Sequence, residues 1–440
     1  MIQKMSNFFV KLVQKYLPDP FIFAVLLTFI VFVMGLVFTD SGFMGMIQHW
    51  SDGFWKLLTF SMQMCLILIT GHALASSPIV KKFLKKIADR CSSPGKAILI
   101  TSVVALIASW IHWGFGLVTG ALLAKEIAKK VKGVDYPLLI ASAYIGFLVW
   151  HGGLSGSAPL AVATPNHVNE ALIGIIPTSQ TIFAPFNLII VIVLIIIMPF
   201  VNRAMMPKKE DVIEIDPALL EEKSKIYQAA ASEMTPAERL ENSKIISYII
   251  GGMGLIYIIY YFTTNGFSLN LNILNFTFLF VGILLHQTPI RYVKAVGEAV
   301  KGAGGIILQF PFYAGIMGMM VGSGLAAMIS NWFVSISNKY TFPLFTFLSA
   351  GIINFFVPSG GGQWAVQAPI MLPAGIELGV PAAKTVMAVA WGDAWTNMVQ
   401  PFWALPALGI AGLNAKDIMG YCVVAMLISG IFISLGLIFL

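Results

Sequence analysis

The chain carries little charge. Only 11% of its 440 residues are Asp, Glu, Lys or Arg, whereas 58% are hydrophobic and the mean hydropathy is +0.85. A soluble globular domain has roughly a quarter of charged residues, so this composition excludes the ordinary soluble enzymes and binding modules. At about 20 apolar residues per crossing, the length allows ten or so membrane crossings. We therefore expect an all-α polytopic membrane protein with the lipid bilayer as its surroundings.

Cysteine and arginine are scarce as well. The three cysteines, Cys65, Cys91 and Cys422, lie far apart and outside any CxxC pattern, which indicates neither a disulfide framework nor a zinc site. The four arginines all stand in loops or at the ends of apolar segments. No guanidinium group is therefore available inside the membrane to hold an anion. A carboxylate ligand there would have to be bound by backbone amides, hydroxyls and side-chain amides.

The lysines indicate which ends of the apolar segments face the cytoplasm. The net charge of +7 would suggest a nucleic-acid partner in a soluble protein. Here the lysines cluster in short loops beside apolar runs, above all in 81–96 and 125–132, where they set membrane orientation. We expect no nucleic-acid partner. The first twenty residues interleave lysines with Phe8, Phe9 and Val10, which predicts an amphipathic helix on the cytoplasmic face and not a cleavable signal peptide.

Two broken apolar stretches predict re-entrant hairpins. Segment 97–124 is interrupted at His112-Trp-Gly-Phe-Gly116, and lysine-rich cytoplasmic loops flank both of its ends. It should therefore enter and leave on one side, with arms of roughly 16 and 10 residues that are short for full crossings. The pair 341–357 and 363–376, broken at Pro358-Ser-Gly-Gly-Gly-Gln363, has few charges around it and predicts a hairpin that enters from outside.

Charge and apolar runs predict the remaining topology. In the first part, 21–38 crosses outward, 54–78 returns, 137–165 crosses outward with a break at 151–159, and 182–201 returns. In the second part, 245–262, 273–286 and 303–321 cross, 325–338 lies near the outer face, 382–411 crosses inward with a break at 397–401, and 418–440 ends outside. The polar stretch between these parts predicts a solvated cytoplasmic linker.

The order of features occurs twice in opposite orientation. At an offset of 247 residues Gly71 matches Gly318, Ser76 matches Ser323, Gly114 matches Gly361 and Pro159 matches Pro406. Hairpin, short connection, long helix, break and proline follow each other in both parts, which is the inverted-topology pattern of secondary transporters. The predicted domains are a first repeat at 1–202 with the N-terminal amphipathic helix, a cytoplasmic linker at 203–244, and a second inverted repeat at 245–440.

The hairpin tips and the breaks carry the candidate substrate-binding groups. Helix N-termini present unpaired N–H groups with partial positive charge, and glycines let a ligand approach the backbone. Close helix packing is the alternative explanation of the glycines. The candidates are His112, Gly114, Gly116, Ser155, Gly156, Ser157, Ser359, Gly360, Gly361, Gly362, Gln363, Asn397 and Gln400.

Asp393 is the candidate coupling residue. It is the only acid in the second broken helix, and an aspartate at a helix centre in the membrane costs roughly 2.5–3.5 kcal/mol, so such residues are functional by default. With Thr396 and Asn397 it would bind Na+ or carry a proton. A structural aspartate satisfied by a neighbouring amide is the alternative. His112 and His151 are further candidates for protonation, with hydrogen-bonded packing as the alternative. Beyond this coupling ion we expect no cofactor and no metal site.

Several long motifs resemble the bacterial short-chain fatty acid transporter family of the AtoE type. They are LPDPFIFA (17–24), SDGFW (51–55), TGHALASSP (70–78), WGFG (113–116), DYPLLIAS (135–142), GGLSGSAPL (152–160), QFPFYAGI (309–316), VPSGGGQW (357–364) and NMVQPFWALPALGIAGL (397–413). The resemblance implies a carrier in the bacterial inner membrane for acetoacetate, butyrate and similar small carboxylates, and leaves Na+ or H+ coupling open. It also implies kinship with the ion transporter superfamily, in which homodimers move hairpin-bearing transport domains against a scaffold by an elevator mechanism.

Two other classes fit the sequence less well. An intramembrane enzyme would need a nucleophile with a base, or metal ligands, and the chain has no HExxH or paired-aspartate motif. Ser359 has no histidine near it in sequence. We therefore expect no enzymatic activity. A cation/proton antiporter of the same architecture is the alternative function, because Asp393 would serve it too, although such proteins usually carry more acids inside the membrane.

Overall fold

The computed structural model describes residues 2–16, 18–56, 58–164, 167, 169–220, 234–266, 269, 271–358 and 360–440. These residues contain helices and turns and no strand, which confirms the all-α expectation. Among them, five helices are long and apolar enough to cross a membrane, and up to seven spans result if each of two bent helix pairs counts as one. Shorter apolar helices accompany them. By length and composition this is a multi-pass membrane protein.

The first half contains eleven α-helices. They are α1 Ile2–Tyr16, α2 Pro20–Phe38, α3 Phe43–Gly53, α4 Leu58–Ala75, α5 Pro78–Ala88, α6 Pro94–Ile111, α7 Trp113–Ala128, α8 Tyr136–Ile145, α9 Ser157–Val162, α10 Glu170–Ile173 and α11 Pro185–Ala204. A four-residue 3-10 turn at Gly146–Val149 follows α8, and a three-residue 3-10 turn at Thr178–Gln180 lies between α10 and α11. Several helices begin at a proline, whose fixed φ and missing N–H suit the first helical position.

The second half again consists of α-helices. They are α12 Pro236–Glu241, α13 Lys244–Asn265, α14 Leu271–His286, α15 Pro289–Lys301, α16 Gly304–Gly322, α17 Leu325–Ser335, α18 Phe342–Asn354, α19 Gly360–Glu377, α20 Ala382–Thr396, α21 Leu405–Ala411 and α22 Ala415–Phe439. A 3-10 turn at Pro401–Ala404 lies between α20 and α21. Two further 3-10 turns, Lys209–Asp211 and Pro217–Leu220, lie between the halves.

Helices in the two halves begin at positions 247 residues apart. α5 at Pro78–Ala88 has its counterpart in α17 at Leu325–Ser335, and α7 at Trp113–Ala128 has its counterpart in α19 at Gly360–Glu377. The bends agree as well: α5 is turned by 67° from the helix before it, and α17 by 68°. The same succession of elements with the same bend therefore occurs twice in the chain.

Each half packs its early helices against the other half. α2 and α3 contact α16, while α14 and α15 contact α4. Glycines permit the close crossing of α3 and α16, since a Cβ on Gly53 would collide with the carbonyl oxygen of Ala314 and one on Gly318 with that of His49. Replacement of either glycine by a larger residue would push these two helices apart.

Both broken helix pairs fold back on themselves. α6 packs against α7 with His112 as the one residue between them, and α18 packs against α19. Lys130 after α7 forms an ion pair with Asp89 before α6, so the two ends of the first hairpin meet. The arms of this hairpin span 18 and 16 residues, longer than the sequence indicated. The second arm is therefore longer than the 10 residues expected, because helix α7 begins at Trp113 and continues past Lys125 to Ala128.

The start of the linker is anchored to the helical bundle at a few points. Ile213 donates its N–H to Asp135 Oδ2 at 3.0 Å, and its carbonyl accepts the N–H of Tyr136 at 2.8 Å. Leu220 is 3% exposed and belongs to the main hydrophobic core. Met205 and Leu220 are thus buried at the two ends of 205–220, whereas most of the side chains between them, Ile213 included, are exposed. Residues 221–233 lie outside the described residues.

The N-terminal helix packs on the last helix. α1 contacts α22 over much of its length, and Gly420 stands where a Cβ would collide with Val10. Ser6 is buried in this contact, while Phe8 and Tyr16 are exposed. α1 therefore has one face on the protein and apolar side chains on the other, in keeping with an amphipathic helix.

Candidate ligand and ion site at the broken helices

The break in the first crossing helix centres on His151. α8 tightens into the 3-10 turn Gly146–Val149, the chain turns, and α9 resumes at Ser157. The buried His151 ring lies in this turn, and its Nε2 accepts the N–H of Ala158 at 3.0 Å. Because a backbone N–H only donates, Nε2 holds no proton and the proton of a neutral ring is on Nδ1.

The proton on His151 is directed at Asp393 of the other half. Nδ1 lies 2.9 Å from Asp393 Oδ2, across 242 residues of sequence, and both side chains are fully buried. Asn397 Nδ2 approaches the same oxygen at 3.3 Å. The second oxygen, Oδ1, is buried without a partner among the described residues. A carboxylate held at one oxygen only is poised to accept a proton or to bind a cation.

Asn354 joins the second hairpin to the second break. Its Nδ2 lies 3.1 Å from the carbonyl oxygen of Asp393, 3.0 Å from Thr396 Oγ1 and 2.8 Å from Asn397 Oδ1. The amide nitrogen of Asn354 has two hydrogens, so three oxygens compete for two hydrogen bonds. Oxygens converge here where α20 ends, and a helix C-terminus favours positive charge. Asn354 was not among the residues predicted from the sequence, although it is the one side-chain amide in α18 and stands directly before a break.

Two tyrosines of α8 fix the second break against the first half. Tyr144 donates its hydroxyl to the carbonyl oxygen of Asn397 at 2.6 Å, and Tyr136 donates to that of Ala411 at 2.9 Å. These carbonyls belong to the disrupted helix, whose backbone acceptors need partners inside a membrane. No local sequence pattern indicates either contact, because each joins residues more than 250 positions apart.

The first hairpin tip is held by protein groups. His112 caps α7 by accepting the N–H of Phe115 at Nδ1, 3.2 Å away, and its carbonyl accepts the N–H of Gly116 at 2.8 Å. The N–H of Trp113 donates to Ser155 Oγ at 3.0 Å. These three amides of the first turn are therefore engaged within the protein. This end of α7 offers an anion fewer free donors than we expected from the sequence.

The glycines of the first tip serve close packing. A Cβ on Gly114 would lie 2.9 Å from the carbonyl oxygen of Ile67, and one on Gly116 would collide with Ser109. At the first break, a Cβ on Gly156 would collide with the carbonyl oxygen of His151. The packing explanation thus accounts for all three glycines. Ser157 Oγ is buried and has no partner in the part of the chain that is described.

The second hairpin tip lies on the first break. Gly360 begins α19, and a Cβ there would lie 2.7 Å from His151 Cε1 and 2.9 Å from Trp150. Trp403 donates its indole N–H to the carbonyl oxygen of Pro358 at 3.0 Å. Gly361 and Gly362 follow in the first turn of α19. This tip is thereby brought together with His151 and Asp393, whereas the candidate Ser359 lies outside the described residues.

Gln363 and Gln400 hold neighbouring helices. Gln363 donates to the carbonyl oxygen of Ala350 at 2.7 Å and to Gln367 Oε1 at 2.8 Å, which ties the two arms of the second hairpin. Gln400 donates to the Tyr313 hydroxyl at 2.7 Å and accepts the N–H of Phe402 at 2.7 Å. In this arrangement both amides are used mainly within the protein. Tyr313, which the sequence analysis did not select, links α16 to the second break.

The donor set suits a proton or a hard cation. Across the residues with described positions, no three His, Cys, Asp or Glu side chains are grouped to hold a metal ion. A Na+ ion would therefore depend on oxygens of Asp393, Thr396 and Asn397, the oxygen type that hard cations prefer. All three side chains are buried at the end of α20. Thr396 Oγ1 also lies 2.9 Å from the carbonyl oxygen of Gly351.

The architecture and this centre define a class of protein. A multi-pass helical membrane protein whose two broken helices bring buried polar groups together has the make-up of a membrane transporter. Comparison with known proteins names the family: the model of the family "Short chain fatty acid transporter" matches residues 1–440. The chain belongs to the short-chain fatty acid transporter family.

Full-length relatives agree with this assignment. The chain is 49% identical over 437 residues to a protein of Escherichia coli (strain K12), covering 99% of both chains. It is 46% identical over 447 residues to one of Haemophilus influenzae (strain ATCC 51907 / DSM 11121 / KW20 / Rd), covering 100% of both. Both relatives bear the name "Putative short-chain fatty acid transporter". The crystal structure of the Alcanivorax borkumensis YdaH transporter aligns with a TM-score of 0.49 at 13% identity, over 95% of this chain and 98% of that one.

Proposed function

We propose that this protein is a secondary active transporter that carries short-chain monocarboxylates, such as acetoacetate and butyrate, across the bacterial inner membrane. Family membership supports the substrate class. The observation that carries the proposal is Asp393, a buried carboxyl group with one bonded and one unpartnered oxygen, placed where both broken helices and the second hairpin tip meet. Such a centre would bind and release a proton or a cation, as a coupled carrier must.

The substrate carboxylate would bind at the second hairpin tip. The first turn of α19 begins Gly360-Gly361-Gly362, and a helix N-terminus favours an anion that can approach its N–H groups closely. The first tip, with its satisfied amides, would instead fix the first break through Ser155. Asn397, Ser157 and the indole-rich surroundings of Trp150 and Trp403 would complete the walls.

Coupling follows from electrostatic repulsion. A carboxylate at α19 and an ionised Asp393 would repel each other in a medium of low dielectric constant. A Na+ ion or a proton at Asp393 would remove this repulsion, so cation and substrate would bind together. Thr396 and Asn397 would supply further oxygens to Na+. The chain would then be a symporter, and its family membership gives no support to the cation/proton antiporter alternative.

The two halves would form inverted repeats that move as an elevator. The coincidence of helix starts at an offset of 247 residues, the bends of 67° and 68°, and the reciprocal packing of α2 and α3 on α16 and of α14 and α15 on α4 support this proposal. The hairpins with the broken helices would be the transport domain, and the reciprocally packed helices the scaffold. A homodimer would form through α13, which packs on the scaffold helix α14 and whose apolar residues are widely exposed.

Uptake into proteoliposomes tests the function. The purified protein should accumulate labelled butyrate above the level of protein-free vesicles, which the uncharged acid enters by diffusion, when an inward Na+ gradient or an inward proton gradient is imposed. Unlabelled acetoacetate should compete. Labelled arginine, a basic substrate that an antiporter could carry, is the control and should not accumulate. Absence of butyrate accumulation under both gradients, in vesicles whose protein is shown to be folded by thermal unfolding, would contradict the proposal.

A further inference from the structure

Helix α5 has a protein face, an apolar outer face and a cationic face. Leu84 and Ala88 are each 1% exposed, and α5 contacts α7. Ile79 and Phe83, one turn apart, are 54% and 61% exposed. The lysines of PIVKKFLKKIA occupy the remaining side of the helix. A helix with these faces suits a membrane surface, where apolar side chains enter the lipid and lysines reach the headgroups.

The orientation of α5 fits that location. α5 is turned by 67° from the helix Ser61–Ala75 before it. If that apolar helix crosses the bilayer, α5 lies nearer to the membrane plane than to its normal. The lysine pattern places this end of the helix on the cytoplasmic side. The apolar side chains of α5 can then point into the bilayer while its lysines stay at the level of the phosphates.

Three lysines of α5 are not neutralised by acidic side chains of the described residues. Lys82, Lys85 and Lys86 are exposed and take part in none of the ion pairs found among the described residues. The nearby carboxylate of Asp89 is bound by Lys130. Lys81 and Arg291 of α15 both act electrostatically on His286, so the cationic surface extends from α5 to α15.

The second half of the chain provides an internal comparison. α17 has the bounds of α5 at the offset of 247 residues and nearly the same bend. At the positions of Lys82, Lys85 and Lys86 it carries Ile329, Trp332 and Phe333. A bent helix of this kind therefore forms without lysines. The bend therefore does not require the lysines of α5, and we relate them to the surface on their own side of the membrane.

We propose that α5 is a docking site for the anionic phospholipid headgroups of the cytoplasmic leaflet. Lys82, Lys85 and Lys86 bind the lipid phosphates, and Ile79 and Phe83 lie among the upper parts of the acyl chains. Each lysine near an anionic membrane surface contributes to binding, and the effects of several lysines multiply. Bound lipid would hold α5 at the surface while α7, which packs on its protein face, stays free to move with the first hairpin.

Lipid binding to the detergent-purified full chain tests this site. Native mass spectrometry with phosphatidylglycerol and phosphatidylcholine of identical acyl chains should show a preference for phosphatidylglycerol. The variant with Lys82→Gln, Lys85→Gln and Lys86→Gln should bind phosphatidylglycerol at least about tenfold more weakly than the unmodified chain does. Arginine at the same three positions should keep the preference, which separates loss of charge from misfolding.

A second triple variant controls for net charge. Lys208→Gln, Lys209→Gln and Lys244→Gln remove the same three charges from exposed positions in the connecting region. This variant should bind phosphatidylglycerol as the unmodified chain does. The proposal is overturned if the α5 glutamine variant keeps its preference, or if the control variant loses as much. Neither measurement involves a transported substrate, so the result is independent of the proposed function.

Discussion

At the scale of single residues, the central feature is a carboxyl group in an apolar interior. Asp393 Oδ2 receives hydrogen bonds from His151 at 2.9 Å and from Asn397 at 3.3 Å, while its Oδ1 has no partner in the described part of the chain. An isolated buried carboxylate costs several kcal/mol. The fold keeps this residue where two broken helices meet, so a bound proton or cation would offset the cost. On the proposed function, this role accounts for an acid at this position.

Removal of the histidine should expose this cost. We expect His151→Phe to lower the melting temperature of the purified protein, because a hydrogen bond to a charged group is worth about 1.5–3 kcal/mol and the carboxylate loses it. The double variant His151→Phe with Asp393→Leu should recover part of the loss, since no carboxylate is then left without its donor. Thermal unfolding in detergent measures both variants. Equal or greater destabilisation in the double variant would show that the pair does not interact as described.

Gly360 allows the second hairpin tip to touch His151. A methyl group there would lie 2.7 Å from the ring, which is buried and bonded on both nitrogens and cannot move aside. Gly360→Ala should therefore reduce butyrate uptake at least about tenfold, one order of magnitude for each 1.4 kcal/mol of lost binding. Gly409→Ala, where a Cβ would meet nothing within 4 Å, is the matched control. Equal uptake by the two variants would contradict the assigned contact.

At the scale of elements, the two hairpins determine the topology. The ion pair between Lys130 and Asp89 joins the two ends of the first hairpin, and in the second hairpin Lys339 Nζ would lie 3.9 Å from a Cβ on Gly379. Each hairpin therefore begins and ends at one place. On the proposed topology, the lysine-rich loops would put the first hairpin's ends in the cytoplasm, and an opposite orientation of the second half would put the other ends outside.

Cysteine labelling of intact cells tests this arrangement. On a background that lacks Cys65, Cys91 and Cys422, single cysteines at positions 90 and 130 should both be protected from an impermeant reagent. A cysteine at position 378 should react. Reaction at only one of positions 90 and 130 would make α6 and α7 part of an ordinary crossing, and the opposite orientation of the two halves would then be lost.

Asp135 fastens the start of the linker to the start of α8. It caps α8 through the N–H of Leu138 at 2.8 Å and accepts the N–H of Ile213 with its other oxygen. Asp135→Ala should therefore raise the hydrogen-exchange rate of a peptide covering 206–220 about tenfold, since a lost cap and hydrogen bond cost roughly 1–2 kcal/mol. Asp216→Ala, which removes only a bond within its own turn, should leave this rate unchanged. Similar exchange in both variants would contradict the fastening.

The sequence predicted local features better than contacts between distant elements. The breaks at His112, His151 and Asn397 were predictable, because glycine, proline and polar residues interrupt the apolar runs there. In a membrane, an unbroken helix is the local arrangement that satisfies the backbone, so such an interruption marks a break. The contacts of His151 with Asp393 and of Tyr144 with Asn397 were not, because each joins residues about 250 positions apart and leaves no periodic signal. Ile213 was assigned to a solvated linker for the same reason, because its partner Asp135 is distant in sequence.

At the scale of the whole molecule, the two halves are built into each other. The early helices of each half pack on the long helix that precedes the hairpin of the other, and the second hairpin tip lies on the first break. Neither half can complete the polar centre alone, since His151 comes from one and Asp393 from the other. A ligand bound between them would therefore be sensed by both halves at once, which suits a carrier that must expose one site to two sides in turn.

Coupled transport by the Asp393→Asn variant tests the central claim most directly. In proteoliposomes under an imposed Na+ or proton gradient, the unmodified chain and Asp52→Asn, which changes an exposed aspartate, should both concentrate butyrate. Asp393→Asn should fail to concentrate it, because the amide neither binds a proton nor attracts a cation as the carboxylate does. Exchange of external for preloaded butyrate should persist, since exchange needs no net ion movement. Accumulation by Asp393→Asn equal to that of Asp52→Asn would contradict the account.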